Sequence, residues 1–504
     1  MEYPETEPPG NSFIMKTPGN AFAWLLTTIH VIVITTLSVL MSLPADAVAQ
    51  QKRPNIVMII ADDLGYGDLS CYGQRLFKTP NIDKLASEGI KFTNHYSGSP
   101  VCAPSRSALM TGLHTGHTYV RGNKEVEPEG QWPLPDEAYT LTEMLKSAGY
   151  TTGVFGKWGL GYPGSEGAPE KQGVDKFFGY NCQRLAHNYY PAHLWDNTTK
   201  IYLEGNRGDL KSEYAPELIH QAALKFLDQN RDTTFFLFYP LIMPHAELVA
   251  PEKYMALYRG KFQPEKSFEG VDAGEKDFRN GGYSSQPEAH AAFAAMMHVL
   301  DEQVGSIMEK LKALDLDENT VVIFSSDNGP HIEAGADPDY FDSNGILRGY
   351  KRDLYEGGIR VPFIARWPDV IEAGTVSAHV SAFWDIMPTL ADLLQIKIKQ
   401  KTDGISFLPT LTGKQKQQEQ HEFLYWEFHE LGSRRAVRQD DWKLIQYNVG
   451  KNPPGSLELY NLKADPREQN DLATDQPEVV ARMKKILMRE HIPSAAFRFA
   501  NENK

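Results

Sequence analysis

At 504 residues, 41% hydrophobic and 23% charged, the chain is too long for one small core and has the ordinary composition of a globular protein, so one large domain with a smaller companion is expected. Its formal charge of −14 excludes nonspecific attraction to nucleic acid or to an anionic membrane surface, and a polyanionic substrate would need a local positive pocket. With three cysteines, Cys71, Cys102 and Cys182, a disulfide framework is excluded; if Cys102 is otherwise engaged, one bridge, Cys71 to Cys182, stays open.

The N-terminal residues 1–14 are acidic and proline-rich, whereas Met15 and Lys16 open a segment that is largely apolar from Ala21 to Leu43, with His30 its one ionisable group. Ala47, Val48 and Ala49 then supply the small-residue pattern of a cleavage site before Gln50. A secretory signal cut near Gln50 is expected, with an uncleaved membrane anchor as the alternative, since the stretch is long enough to span a bilayer. Either reading puts the mature domain, from about Arg53, in the periplasm or outside the cell.

Asn55 to Ala61 is a β-branched apolar run ending in Asp62 and Asp63, which predicts a strand buried on both faces with a carboxylate pair at its C-terminal end. Helical periodicity follows over Leu141 to Ala148 and Glu288 to Leu314, a third apolar strand over Phe235 to Tyr239, and a fourth segment, Thr320 to Ser325, ends in Ser326, Asp327, Asn328, Gly329. Strands alternating with helices imply an α/β fold with a largely parallel sheet, and such sheets place their ligands just past the strand ends. Beyond residue 400 the texture becomes polar, then breaks into short strand-like pieces at Glu422 to Phe428, Ser433 to Arg438, Trp442 to Gln446 and Leu457 to Asn461, before a helical run over Pro477 to His491. The expected organisation is an N-terminal signal segment (1–50), a main α/β domain (51–400) and a C-terminal α+β subdomain (401–504) with a small antiparallel sheet.

Three motifs carry chemistry. Pro100-Val101-Cys102-Ala103-Pro104-Ser105-Arg106 is followed at fixed spacing by Leu109-Met110-Thr111-Gly112. Taken alone, the cysteine is ambiguous, because no adjacent histidine stands ready to act as the base of a thiol hydrolase. Asp62, Asp63, Asp327 and Asn328 form a hard, oxygen-rich donor set of the kind Ca²⁺ prefers, with Mg²⁺ not excluded by residue type. Lys157 ends the run Gly149 to Trp158, Lys351 precedes a Glu356-Gly357-Gly358 turn, and His245 lies in Met243-Pro244-His245-Ala246-Glu247 beyond the third strand.

The Cys102 string resembles the modification signature of the type I sulfatases, and the stretches around Lys157 and from Gly345 to Pro368 are similar to that family as well. The resemblance implies an alkaline-phosphatase-like α/β fold and a sulfuric ester hydrolase. It also implies that a maturation enzyme oxidises Cys102 to formylglycine, whose hydrated form attacks sulfur and then expels sulfate. One Ca²⁺ on Asp62, Asp63, Asp327, Asn328 and the modified Cys102 is implied too. Arg106 would bond the diol or the metal ligands, Lys157 and Lys351 would neutralise the sulfate, and a protonated His245 would donate to the departing alcohol oxygen. Bacterial polysaccharide sulfatases, some acting on galactose-type sugars, are similar around Asn181 to Tyr190, whose His187 and aromatic neighbours suit a sugar.

One position departs from the family. Where the family reads Lys-Trp-His-Leu-Gly, this chain reads Lys157-Trp158-Gly159-Leu160-Gly161. Another histidine is expected to fill the gap, with His117 favoured over His114 and then His187. Two competing functions stay in view: a formylglycine-dependent phosphonate or phosphate ester hydrolase of the same fold, and a binding protein without activity. A two-zinc phosphatase would need more histidine and carboxylate ligands than the Asp/Asn set provides.

Overall fold

The computed structural model describes residues 9–11, 53–451, 453 and 455–502, so the expected signal segment lies outside the described residues. Residues 53–504 make one compact unit carrying two sheets. The strands are, in chain order, β1 (Asn55–Asp62), β2 (Ile90–Tyr96), β3 (Thr151–Lys157), β4 (Lys176–Tyr180), β5 (His193–Asp196), β6 (Thr199–Tyr202), β7 (Phe235–Pro244), β8 (Thr320–Ser326), β9 (Arg360–Arg366), β10 (Thr375–Ala382), β11 (Leu424–Phe428), β12 (Arg434–Gln439), β13 (Trp442–Tyr447) and β14 (Leu457–Asn461).

The large sheet has ten strands in the order β10-β2-β9-β8-β1-β7-β3-β4-β5-β6. The central run β8-β1-β7-β3-β4 is parallel, while β9 runs antiparallel to both β8 and β2, and β5 and β6 close the far edge as antiparallel strands. Because side chains alternate along a strand, β1 feeds two cores. Val57, Ile59 and Ala61 pack with the helices Ala215–Gln229 and Ala289–Ala313, and Ile56, Met58 and Ile60 pack with Met110, Leu141 and Leu390 on the other face. With all eight residues of β1 buried, neither face is solvated, which is why its residues from Ile56 to Ala61 are apolar without a break.

The second sheet, β11-β12-β13-β14, is antiparallel throughout. One face packs Trp426, Ala436 and Ile445 against Tyr96 of β2 and Trp384; the other packs Tyr425, Val437 and Leu444 against Met483, Ile486 and Leu487 of the helix Pro477–Arg489. The sequence marks all four of these strands and the closing helix but gives no sign of β9 inserted between β2 and β8. The bridge left open between Cys71 and Cys182 is not formed: both are free thiols. Burial pushes each up to about 12, so neither is poised to react.

Candidate active site

Parallel pairing of β1 with β8 brings their C-terminal ends side by side, and so assembles the four oxygen-bearing residues. Asp63 takes a left-handed backbone (φ 61°), uncommon for a residue with a side chain, and its N–H donates to Asp327 Oδ1 at 3.1 Å. Ser326 Oγ accepts from the Leu64 N–H at 3.0 Å, tying the two strand ends together. All four of Asp62, Asp63, Asp327 and Asn328 are fully buried.

Cys102 opens the helix Cys102–Thr111, where the extended Val101 gives way to helix, and its Sγ lies 3.3 Å from Asp62 Oδ1 and 3.8 Å from Asp63 Oδ1. Arg106, one turn on, donates from Nε and Nη2 to Asp327 Oδ2 at 3.0 and 2.7 Å, and from Nη1 to the Lys157 carbonyl at 2.5 Å. Lys157, the last residue of β3, reaches Asp62 Oδ2 at 2.5 Å. Lys351 reaches Asp63 Oδ2 at 2.7 Å and His245 Nε2 at 3.0 Å. Three buried carboxylates thus face three buried cations.

That balance sets the protonation states. Burial works to raise Asp62 and Asp63, but Lys157 beside the first and Lys351 beside the second carry both below the usual range, so they stay ionised. Asp327 rises to about 6 through burial and the charge of Asp62. Burial, then Asp62, drives the Cys102 thiol well up, so the unmodified side chain would sit there as a thiol and not as a thiolate nucleophile.

The family model described as Sulfatase matches residues 54–396. The chain belongs to the sulfatase family. A second model, N-sulphoglucosamine sulphohydrolase, C-terminal, matches residues 348–492. Among curated relatives, the N-acetylgalactosamine-6-O-sulfatase of Bacteroides thetaiotaomicron is 32% identical, with 86% of this chain and 93% of that protein covered. Human arylsulfatase A is also 32% identical, with 92% of each covered. The crystal structure of Ps i-CgsB in complex with k-i-k-neocarrahexaose has a TM-score of 0.71 at 26% identity, covering 88% of this chain and 94% of that one.

In this sulfatase the remaining predicted residues divide. His245 and His187 stand together over the Lys351 side of the pocket. His117, favoured on sequence to replace the missing histidine, is placed elsewhere: its Nδ1 lies 2.9 Å from both Asp403 oxygens, its ring lies 4.1 Å from that of His114 at a tilt of 31°, and its Nε2 is 3.9 Å from Glu490. His114 joins the same group, with Nε2 3.5 Å from Glu490. The start of the loop after the Cys102 helix therefore turns toward Asp403 and Glu490, while its end returns to that helix, where Asn123 Oδ1 accepts the Ala103 N–H at 3.0 Å. The expected resting state of His245 also changes. Its Nδ1 bonds the Ala246 carbonyl, which can only accept, so Nε2 carries the lone pair and receives the Lys351 ammonium. Burial and then Lys351 hold its pKa well down, and the resting ring is neutral.

Sequence reasoning missed two groups. His331 stacks on His245 at 5.6 Å, donates from Nε2 to the Pro244 carbonyl at 3.1 Å, and has its Nδ1 3.2 Å from Glu333. Glu333 in turn lies 3.9 Å from Lys351 and pairs with Arg352. The signal was the continuation of the Asp327-Asn328-Gly329 turn into Pro330-His331. Tyr283, whose ring sits 4.9 Å from that of His187, had no signal, because it lies nearly a hundred residues away in an irregular segment.

A divalent cation fits the donor set. Asn328 gives its Nδ2 hydrogens to Asp63 Oδ1 and the Gly329 carbonyl, while its Oδ1 is buried with no hydrogen-bond partner. An orphan amide oxygen beside three carboxylates is an arrangement that a hard cation satisfies. Among the described residues, Asp62, Asp63, Cys102 and His245 also converge closely enough to share an ion.

Proposed function

We propose that this sulfatase removes sulfate from a sulfated carbohydrate, with Cys102 oxidised to formylglycine by a maturation enzyme during export and one Ca²⁺ held by Asp62, Asp63, Asp327 and Asn328. The observation that carries the reading is the placement of Cys102 Sγ within 4 Å of two buried aspartates and inside a ring formed by Arg106, Lys157 and Lys351. The carbohydrate relatives, one acting on N-acetylgalactosamine 6-sulfate and one bound to a neocarrahexaose, support the substrate class.

Formylglycine would supply a hydrated aldehyde as nucleophile, and the cation would hold that group and polarise a sulfate oxygen. The chain's own residues do the rest. Lys157 and Lys351 present ammonium groups at the pocket and stabilise charge on the sulfate oxygens as the ester bond breaks. Arg106 holds Asp327 by two hydrogen bonds and fixes the β3 end through the Lys157 carbonyl, which keeps the donor cage in register. The proton for the departing sugar oxygen resides on the Lys351–His245 pair, from which Nε2 of His245 can hand it on. His187, with Tyr283 beside it, forms a wall for the sugar.

The test is the mass of the tryptic peptide containing Cys102 after co-expression with a formylglycine-generating enzyme, combined with turnover of sulfate, phosphate and phosphonate esters. Conversion of the thiol to an aldehyde together with preferential sulfate release is expected. Active enzyme with an unmodified cysteine, or a preference for phosphonate esters, would overturn the reading.

A further inference from the structure

The slot left by the histidine missing at position 159 is filled by another side chain. Pairing of β3 with β4 continues past both strand ends, as the Trp158 N–H donates to Tyr180 O at 2.9 Å and the Gly159 N–H to Asn181 O at 3.0 Å. This register lays Gln183 over Gly159. A Cβ at position 159 would fall 2.0 Å from Gln183 Nε2, and Gly159 has a φ of +74°, so any side chain there would meet both the amide and backbone strain. Gly159 and Gln183 are therefore a matched pair: the one has no side chain because the other occupies the space.

Gln183 is 5% exposed, and neither its Nε2 nor its Oε1 has a hydrogen-bond partner. Its backbone N–H is engaged with Gln131 Oε1 at 3.0 Å, and Gln131, fully buried, has its own Nε2 unpartnered. Buried amides in folded proteins are nearly always paired, because leaving one without a partner forfeits its hydration with nothing in return. Two such amides, Gln183 and Gln131, with Gln183 lying over Gly159, two residues beyond Lys157, point to a ligand.

We infer that Gln183, oriented through Gln131, reads a ring hydroxyl of the saccharide next to the sulfated carbon. This rests on the carbohydrate reading above. A hydroxyl is chosen over a sulfate oxygen because the orphan amide offers both N–H donors and an acceptor oxygen. A hydroxyl matches both, whereas a sulfate oxygen only accepts and would leave Gln183 Oε1 unpaired. Unlike the histidine the family carries at position 159, the amide does not titrate, so this contact fixes the sugar without taking part in proton transfer. Gln183 is a specificity-determining residue, and Gln131 positions it.

The experiment compares wild type and Gln183→Leu on the sulfated monosaccharide that the wild type turns over and on its singly deoxygenated analogues, together with the thermal midpoint of each protein. Removing an amide that has no protein partner should leave the midpoint unchanged or raise it. The KM of Gln183→Leu should rise tenfold or more with kcat within about threefold. One deoxy analogue should lose the same factor with wild type and nothing further with the variant. If the variant keeps wild-type KM, or if KM and the thermal midpoint worsen together, Gln183 is structural and the inference fails while the sulfatase reading stands. If the wild type releases sulfate from no saccharide tested, the carbohydrate reading fails and takes this inference with it.

Discussion

The imidazoles of His187 and His245 stack with centroids 5.1 Å apart and planes 12° from parallel. His187 Nδ1 bonds the Gly281 carbonyl at 3.0 Å, which turns Nε2 away from that loop, and burial lowers its pKa to about 4, so it is neutral at physiological pH. Of the three histidines considered for the empty position, this is the one the fold brings to the pocket. His187→Ala should lower kcat/KM by roughly 10²-fold. His117→Ala, which removes a contact to Asp403 and none to the residues around Cys102, should keep kcat/KM within about threefold and cost about 1 kcal/mol of stability. Steady-state kinetics on both variants separate the two sites, and a loss confined to His117→Ala would contradict the assignment.

Removing the cation should abolish turnover and soften the fold, since three buried carboxylates and the Asn328 Oδ1 orphan are then left to the lysines and Arg106 alone. Ca²⁺ at a hundred times its Kd should stabilise the chelated protein by about 2.7 kcal/mol. Asp327→Asn weakens both the cage and the Arg106 pair, so calorimetric titration should show a weaker affinity as well as a lower midpoint. An unchanged midpoint in a chelator would count against a bound ion.

Lys443 of β13 is fully buried between Glu356 Oε1 and Glu468 Oε1, each at 3.0 Å, and Glu468 Oε2 accepts the Glu356 N–H at 2.7 Å. Arg348 and Arg434 anchor the same 348–356 segment, through Glu468 O and Asp353, so the small sheet braces the loop that carries Lys351. Lys443→Met takes the ammonium from buried Glu468 and leaves Glu356 with Arg360 and the Tyr96 hydroxyl, and should cost about 3 kcal/mol. Denaturant unfolding measures it, and a cost near zero would show that the ion group is dispensable.

His95 and His220 are buried, and burial lowers their pKa values to about 3 and about 4. The folded state therefore binds fewer protons than the unfolded chain below pH 6.5. The neutral rings contribute stability that is fully present above pH 6.5 and lost as pH falls toward 4 for His220 and toward 3 for His95. Unfolding free energy should fall in that window by up to about 1.4 kcal/mol per pH unit for each ring. His95→Gln should flatten the slope by one proton, and a flat profile from pH 6.5 to 4 would contradict both assignments.

The sequence by itself determined the elements that are locally encoded. β1, β7 and β8 were legible because strands buried on both faces are apolar over most of their length, and the acids at the end of β1 and just past β8 stood out against those runs. The four strands of the small sheet and its closing helix were legible from their own periodicity. The Cys102 signature, Lys157, Lys351 and His245 were legible through motif resemblance, which carries chemistry that spacing alone does not.

Only the tertiary structure decided which of these residues meet. Nothing local to the Thr115-Gly116-His117 turn says that it leads to Asp403 and Glu490 and not back to Cys102. Nothing in Gln183 announces that the register of β4 against β3 sets it over Gly159. The placement of β9 and the burial of Lys443 beneath β13 depend in the same way on pairings between distant segments. The physical reason is that a side chain's partners are fixed by sheet order and register, which are settled by the packing of the whole chain. Its apolar or polar character, fixed by the residue itself, is all that a linear pattern displays.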